Sequence, residues 1–346
     1  MKRISLFLTI FTLLVGCKND TKSTSASDVK ELNVYTHRHY DSDKQLFEMF
    51  EKQSGIKVNV INSKADELIQ KMVLEGEQSP ADVLITVDAG RLHMAKEKGL
   101  LQPVSNKNII DSIVPSNLID KDYHWVALTK RARVLVYAKD RVDPTSLTTY
   151  EDLVLPEWEG KLLFRSSSNI YNQSLMASII ANDGEETARK WAEGLVENQA
   201  RKPKGNDRDQ VKAVAAGEGD IAIVNTYYVG KMLNSNDQTE LKAADQVAVF
   251  FPNQNDRGTH INVSGIGVAK HAPNPEAANQ FVSFLLSEEA QEVFALSNYE
   301  YPVNSNVENS AVLTSWGDFK EDELHLNKLG ELNKKAVILF DEAGWK

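Results

Sequence analysis

From residue 31 onward, short apolar runs of strand character alternate with segments whose apolar residues recur every three or four positions. ELNVYTHR predicts a strand, because apolar and polar side chains alternate and one face can be buried. SDKQLFEMFEKQSG follows as an amphipathic helix with Leu46, Phe47, Met49 and Phe50 on its apolar side, stopped at Gly55. The alternation continues through IKVNVIN (strand), ADELIQKMVLEGEQS (helix), ADVLITV (strand) and AGRLHMAKEKG (helix). WVALTKRARVLVYAK, KLLFRSS, YNQSLMASIIAND, GDIAIVN, VAVFFPN and INVSGIGVAK extend it. Strands and helices taken in turn predict an α/β protein with parallel strands.

The first 30 residues stand outside this pattern. MKRISLFLTIFTLLVGC has Lys2 and Arg3 ahead of an apolar run from Ile4 to Val15, too short to span a bilayer as a helix, and reads as an export signal. Its end, Leu14-Val15-Gly16-Cys17, resembles the bacterial lipoprotein signal box, which implies that residues 1–16 are removed and that Cys17 carries a lipid. Cys17 is the only cysteine, so one molecule has neither an internal disulfide nor a thiolate metal site. Residues 17–30 are polar and predict a flexible tether. The expected location is outside the cytoplasm, lipid-anchored to a bacterial membrane and facing the periplasm or cell exterior. Loss of Lys2 and Arg3 takes the formal net charge from −10 to −12, which argues against nucleic acid. The rest of the chain exceeds the roughly 250–300 residues that one hydrophobic core serves, so two lobes are expected.

The polar aromatics gain meaning on this map. His39-Tyr40 follows the strand ELNVYTHR and precedes a helix that Asp41 or Ser42 can cap. Tyr171 follows KLLFRSS, and Tyr227-Tyr228 follows GDIAIVN. All three places are strand-to-helix junctions, and in an open α/β sheet the carboxyl ends of strands line the ligand crevice. A tyrosine at such a place usually packs with its hydroxyl in water, which suffices for Tyr35, Tyr137 and Tyr150. Convergence of several would mean different chemistry. A phenol has a pKa near 10, so ionising one at pH 7 costs about 4 kcal/mol. Zinc prefers Cys and His, and calcium and magnesium prefer carboxylates and carbonyls; a small trivalent ion such as Fe3+ is hard enough to offset phenolate formation. Spacing does not choose between His37 and His39, since strand alternation puts both on one face. No G-x-S-x-G elbow, Walker loop, H-E-x-x-H or dinucleotide glycine fingerprint points to an enzyme.

The runs NVYTHRHYDSDKQLFEMFEKQSGIKVNVINSKADELIQKM, SPADVLITVDAGRL, KRARVLVY, GNDRDQVKAVAAGEGDIAIVNTYY and INVSGIGVAKHAPNPEAA closely resemble the bacterial ferric-ion-binding proteins of ABC transporters, across most of residues 31–300. The resemblance implies a two-lobed type II periplasmic binding protein with its ligand cleft between the lobes. Lobe 1 is expected at 31–128 plus 258–306 and lobe 2 at 129–257 plus 307–346, with crossovers in TKRARVLVY and NQNDRGTH. By the same resemblance RHYD supplies His39 and Tyr40, SNIYNQS supplies Tyr171, and NTYY supplies Tyr227 and Tyr228 as ligands of transported Fe3+, with a small anion or water as a further partner. Arg131 is the expected outer cation, because four phenolates outweigh the ion's charge. His37 departs from the family pattern. The charges of GNDRDQ are expected to be solvated, with Arg208 set apart as a structural residue. The implied partners of this monomeric carrier are an ABC permease and its ATPase. An alternative on the same fold is a small anion or organic solute held by Ser166, Ser167, Ser168, Asn169 and Arg131.

Overall fold

The structure is a computed structural model describing residues 30–346, so the expected signal, Cys17 and nearly all of the tether lie outside it. The strands are β1 (Glu31–Thr36), β2 (Lys57–Asn62), β3 (Val83–Thr86), β4 (Leu101–Gln102), β5 (Val126–Ala138), β6 (Leu162–Leu163), β7 (Ile221–Asn225), β8 (Val247–Phe250), β9 (Ile261–Ala269) and β10 (Tyr301–Pro302). The helices are α1 (Asp41–Ser54), α2 (Ala65–Glu75), α3 (Ala89–Glu97), α4 (Lys107–Ile113), α5 (Ile170–Asp183), α6 (Glu185–Glu197), α7 (Asp207–Ala215), α8 (Thr226–Leu233), α9 (Gln238–Asp245), α10 (Pro275–Leu285), α11 (Glu288–Asn298), α12 (Ala311–Ser315), α13 (Asn327–Glu331) and α14 (Asn333–Glu342).

The main strand order is β2-β1-β3-β9-β5-β7-β6. β1 runs parallel to β2 and β3, and β6 runs parallel to β7. The expectation of parallel strands fails in the middle, where β9 is antiparallel to β3 and β5, and β5 is antiparallel to β7 and β8. Alternation of strands and helices cannot reveal this, because it does not fix which strands pair or in which direction; β9 follows β8 with no helix between them. Along β5 the partner changes: Val126–Ala132 pairs with β9, whereas Arg133–Ala138 pairs with β7 and β8.

Helix α1 begins as its apolar spacing requires and ends at Gly55, whose left-handed φ of 70° suits a residue without a Cβ. Leu46 and Phe50 are buried, and Phe50 lies 4.9 Å from Phe281 between ring centroids, fixing α1 on α10. Neither Asp41 nor Ser42 caps it; Tyr40 occupies the N-cap position and its backbone N–H donates to Asp43 Oδ2 at 3.0 Å. KLLFRSS keeps only the two residues of β6 as strand. Near the C-terminus, Trp345 packs on Phe164 and Phe340 at 4.3 and 4.7 Å, while α13 lies between α3 and α5.

Candidate metal centre

Three chain segments bring the predicted tyrosines together. Asn169 caps α5, its Oδ1 accepting the Tyr171 N–H at 3.1 Å, so Tyr171 stands on the first turn. Helix α8 starts directly after β7, and this tight junction frees Tyr227 and Tyr228 from strand alternation: their ring centroids are 4.2 Å apart and inclined by only 31°. Tyr40 arrives from the β1–α1 junction. The Tyr227 hydroxyl lies 3.2 Å from that of Tyr171 and 3.4 Å from that of Tyr40. Tyr171 and Tyr227 are buried, whereas Tyr40 and Tyr228 are half-buried at the edge of a cavity of about 350 Å³.

His39 lines the same cavity and is exposed, with its ring 5.0 Å from that of Tyr40. His37 is not at the cavity mouth. Strand β1 stops at Thr36, so the strand alternation expected to align the two histidines no longer applies. Burial, then the neighbouring His39, pull the His37 pKa down to about 4, which keeps that imidazole neutral.

Burial pushes the Tyr40 phenol well above its ordinary pKa, with the nearby Tyr171 adding to the rise. Tyr227 and Tyr228 are raised by burial and then by the surrounding phenols. Without a cation Tyr40, Tyr227 and Tyr228 are thus held as neutral phenols, because several negative charges at this spacing repel one another in a low-dielectric site. Cationic side chains surround it. The guanidinium carbons of Arg131, Arg165 and Arg133 lie 5.4, 5.6 and 5.9 Å from the Tyr171 ring centroid. Lys231 Nζ sits 3.8 Å from the Tyr40 centroid, and burial pulls its pKa down to about 8. The same loss of solvation that raises the phenols lowers this ammonium.

Arg131 is not a surface ion-pair residue: it is buried, donates through Nη2 to the Val87 carbonyl, and leaves Nε and Nη1 without a protein partner. Arg133 is tied down by Asp207 at 2.7 Å and Asn172 at 2.8 Å. The expectation of solvated charges in GNDRDQ fails at Asp207, which is fully buried between Arg133 and Arg165. Arg208 reaches solvent, at the rim of the cavity and 3.4 Å from Glu240. The serine segment is turned on itself, with Ser166 Oγ 2.9 Å from Ser168 Oγ and Asn169 spent on its own helix. Lys231 was missed from sequence, although its place four residues after Tyr227 and three after Tyr228 puts it on their helix face.

Residues 45–321 match the family of bacterial extracellular solute-binding proteins. The chain belongs to this family. The solute-binding protein is 47% identical over 353 residues to Iron uptake protein A1 of Synechocystis sp., an alignment covering 99% of this chain and 98% of that one. A solved Trichodesmium FutA (IdiA), in complex with iron and citrate ligands, superposes with a TM-score of 0.88 at 49% identity over 91% of this chain and 100% of the other. The ferric binding protein from Campylobacter jejuni superposes with a TM-score of 0.88 at 45% identity, over 91% and 100% of the two chains. The solute-binding protein accordingly has the two-lobed periplasmic binding fold, and it is a binding protein rather than an enzyme.

Proposed function

We propose that this protein captures ferric ion outside the cytoplasm and delivers it to an ABC permease driven by its ATPase. The observation that carries the proposal is the Tyr227 hydroxyl, within 3.4 Å of both the Tyr40 and Tyr171 hydroxyls at a junction also lined by Tyr228 and His39. The ligand set is Tyr40, Tyr171, Tyr227 and Tyr228 as phenolates with the His39 imidazole; a water or small anion completes the shell. Four phenolates around Fe3+ leave one negative charge, and Arg131 with its two unpartnered buried nitrogens answers it as an outer cation. High sequence identity to iron uptake and ferric-binding proteins supports the same reading.

The lobes are assigned as residues 31–128 with 258–306, and 129–257 with 307–346. The change of partner along β5 and the return from β8 to β9 support crossovers in those two regions. Tyr171, Tyr227 and Tyr228 belong to lobe 2 and take the ion first; closure adds His39 and Tyr40 from lobe 1. Cys17 carries the lipid that holds the monomeric carrier at a membrane, within reach of its permease. Titration of the iron-free protein with ferric citrate is expected to develop a visible phenolate-to-iron charge-transfer band that saturates at one iron per chain. A colourless complex would overturn the ligand set.

A further inference from the structure

Beneath the Tyr40 ring lies a buried charge network that the ferric reading does not use. Arg38, 2% exposed, donates from Nε to Asp43 Oδ1 at 2.8 Å and from Nη1 to Ser264 Oγ at 2.7 Å and Glu300 Oε2 at 3.0 Å. Its guanidinium carbon lies 4.9 Å from the Tyr40 ring centroid. Asp43 uses its other oxygen to accept the Tyr40 N–H, so one carboxylate grips both the arginine and the backbone of Tyr40. Glu300 is fully engaged as well, accepting from Asn298 Nδ2 at 2.5 Å.

The segment that supplies Glu300 also touches the opposite half of the cluster. Tyr299 adopts a left-handed φ of 54°, unusual for a residue with a Cβ, at the end of α11. A Cβ added at Gly230 would come within 2.8 Å of Tyr299 Cβ, so α8, which carries Tyr227, Tyr228 and Lys231, rests directly on this residue. One short stretch, Asn298–Glu300, therefore meets the helix of Tyr227 through Tyr299 and the support of Tyr40 through Glu300.

We infer that Arg38 and Glu300 are positioning residues for Tyr40, and that Asn298–Glu300 is the strut setting its distance from the Tyr227 helix. This rests on the ferric reading of the site. Partners that orient a ligand typically change metal affinity by about 10–100-fold when altered. The test is a double-mutant cycle of Glu300→Gln and Tyr40→Phe, read by ferric affinity in competition with citrate and by the charge-transfer band. Glu300→Gln is expected to weaken ferric binding at least about tenfold and to shift the band. In that background Tyr40→Phe should cost much less than in the parent, since both changes act through one phenol. Arg38→Lys should reproduce the band shift if Glu300→Gln fails to fold. A Gly230→Ala protein should also lose affinity, because the added Cβ would push α8 off Tyr299. Additive losses with an unchanged band overturn the inference while the ferric reading stands. A parent without any band removes both.

Discussion

Replacing Tyr227 by Phe isolates the central phenol, and its consequence can be worked out in protons. In the iron-free cluster Tyr40, Tyr227 and Tyr228 are held protonated by burial and by neighbouring phenols. Each phenol that becomes a ligand releases one proton, so apparent affinity falls as pH falls, by about one decade per pH unit for each phenolate. Four ligands predict a fall of about 10⁴ for one pH unit, equivalent to about 5.4 kcal/mol. Tyr227→Phe should reduce this to about 10³ and lower proton release by one per ion. Groups present in both proteins cancel in the difference. The assay is chelator competition at a series of pH values, with proton release followed in weak buffer. The lost hydroxyl contacts, at 3.2 and 3.4 Å, should change iron-free stability by only about 1 kcal/mol, so weaker binding is not unfolding. Equal proton release by parent and variant would refute the assignment of Tyr227 as a phenolate ligand.

Other outcomes follow from the same geometry. Asp207→Asn leaves Arg133 and Arg165 without their buried counter-charge and is expected to destabilise the protein by about 3 kcal/mol in urea unfolding. Ser174→Ala removes the 2.6 Å hydrogen bond to buried Asp88 that joins α5 to the start of α3, at a cost of about 1–3 kcal/mol in the same measurement. Lys231→Met takes a cation from beside the phenols and should weaken ferric affinity about tenfold in citrate competition, with little effect on iron-free melting.

What could be read from sequence was local. The strand-to-helix alternation follows from spacing within a dozen residues, and it placed Tyr171 and the Tyr227-Tyr228 pair at helix starts, where the structure has them. The antiparallel course of β5 and β9 was not legible, because strand pairing depends on partners far along the chain. The same holds for Arg38, whose partners Ser264 and Glu300 lie 226 and 262 positions away. Asp207 looked like one more charge in a polar loop; only the fold shows that Arg133 and Arg165 enclose it. The choice of His39 over His37 at the cavity depended on where β1 ends and how Tyr40 starts α1, which hydrophobic spacing does not specify to the residue.

Anomalous diffraction at the iron absorption edge, from crystals of protein loaded with one equivalent of ferric citrate, would locate the ion directly. The expected result is a single peak in contact with the phenol oxygens of Tyr40, Tyr171, Tyr227 and Tyr228 and the imidazole of His39. A peak elsewhere, or one leaving two or more of these phenols unbound in the closed protein, would contradict the ferric centre described above.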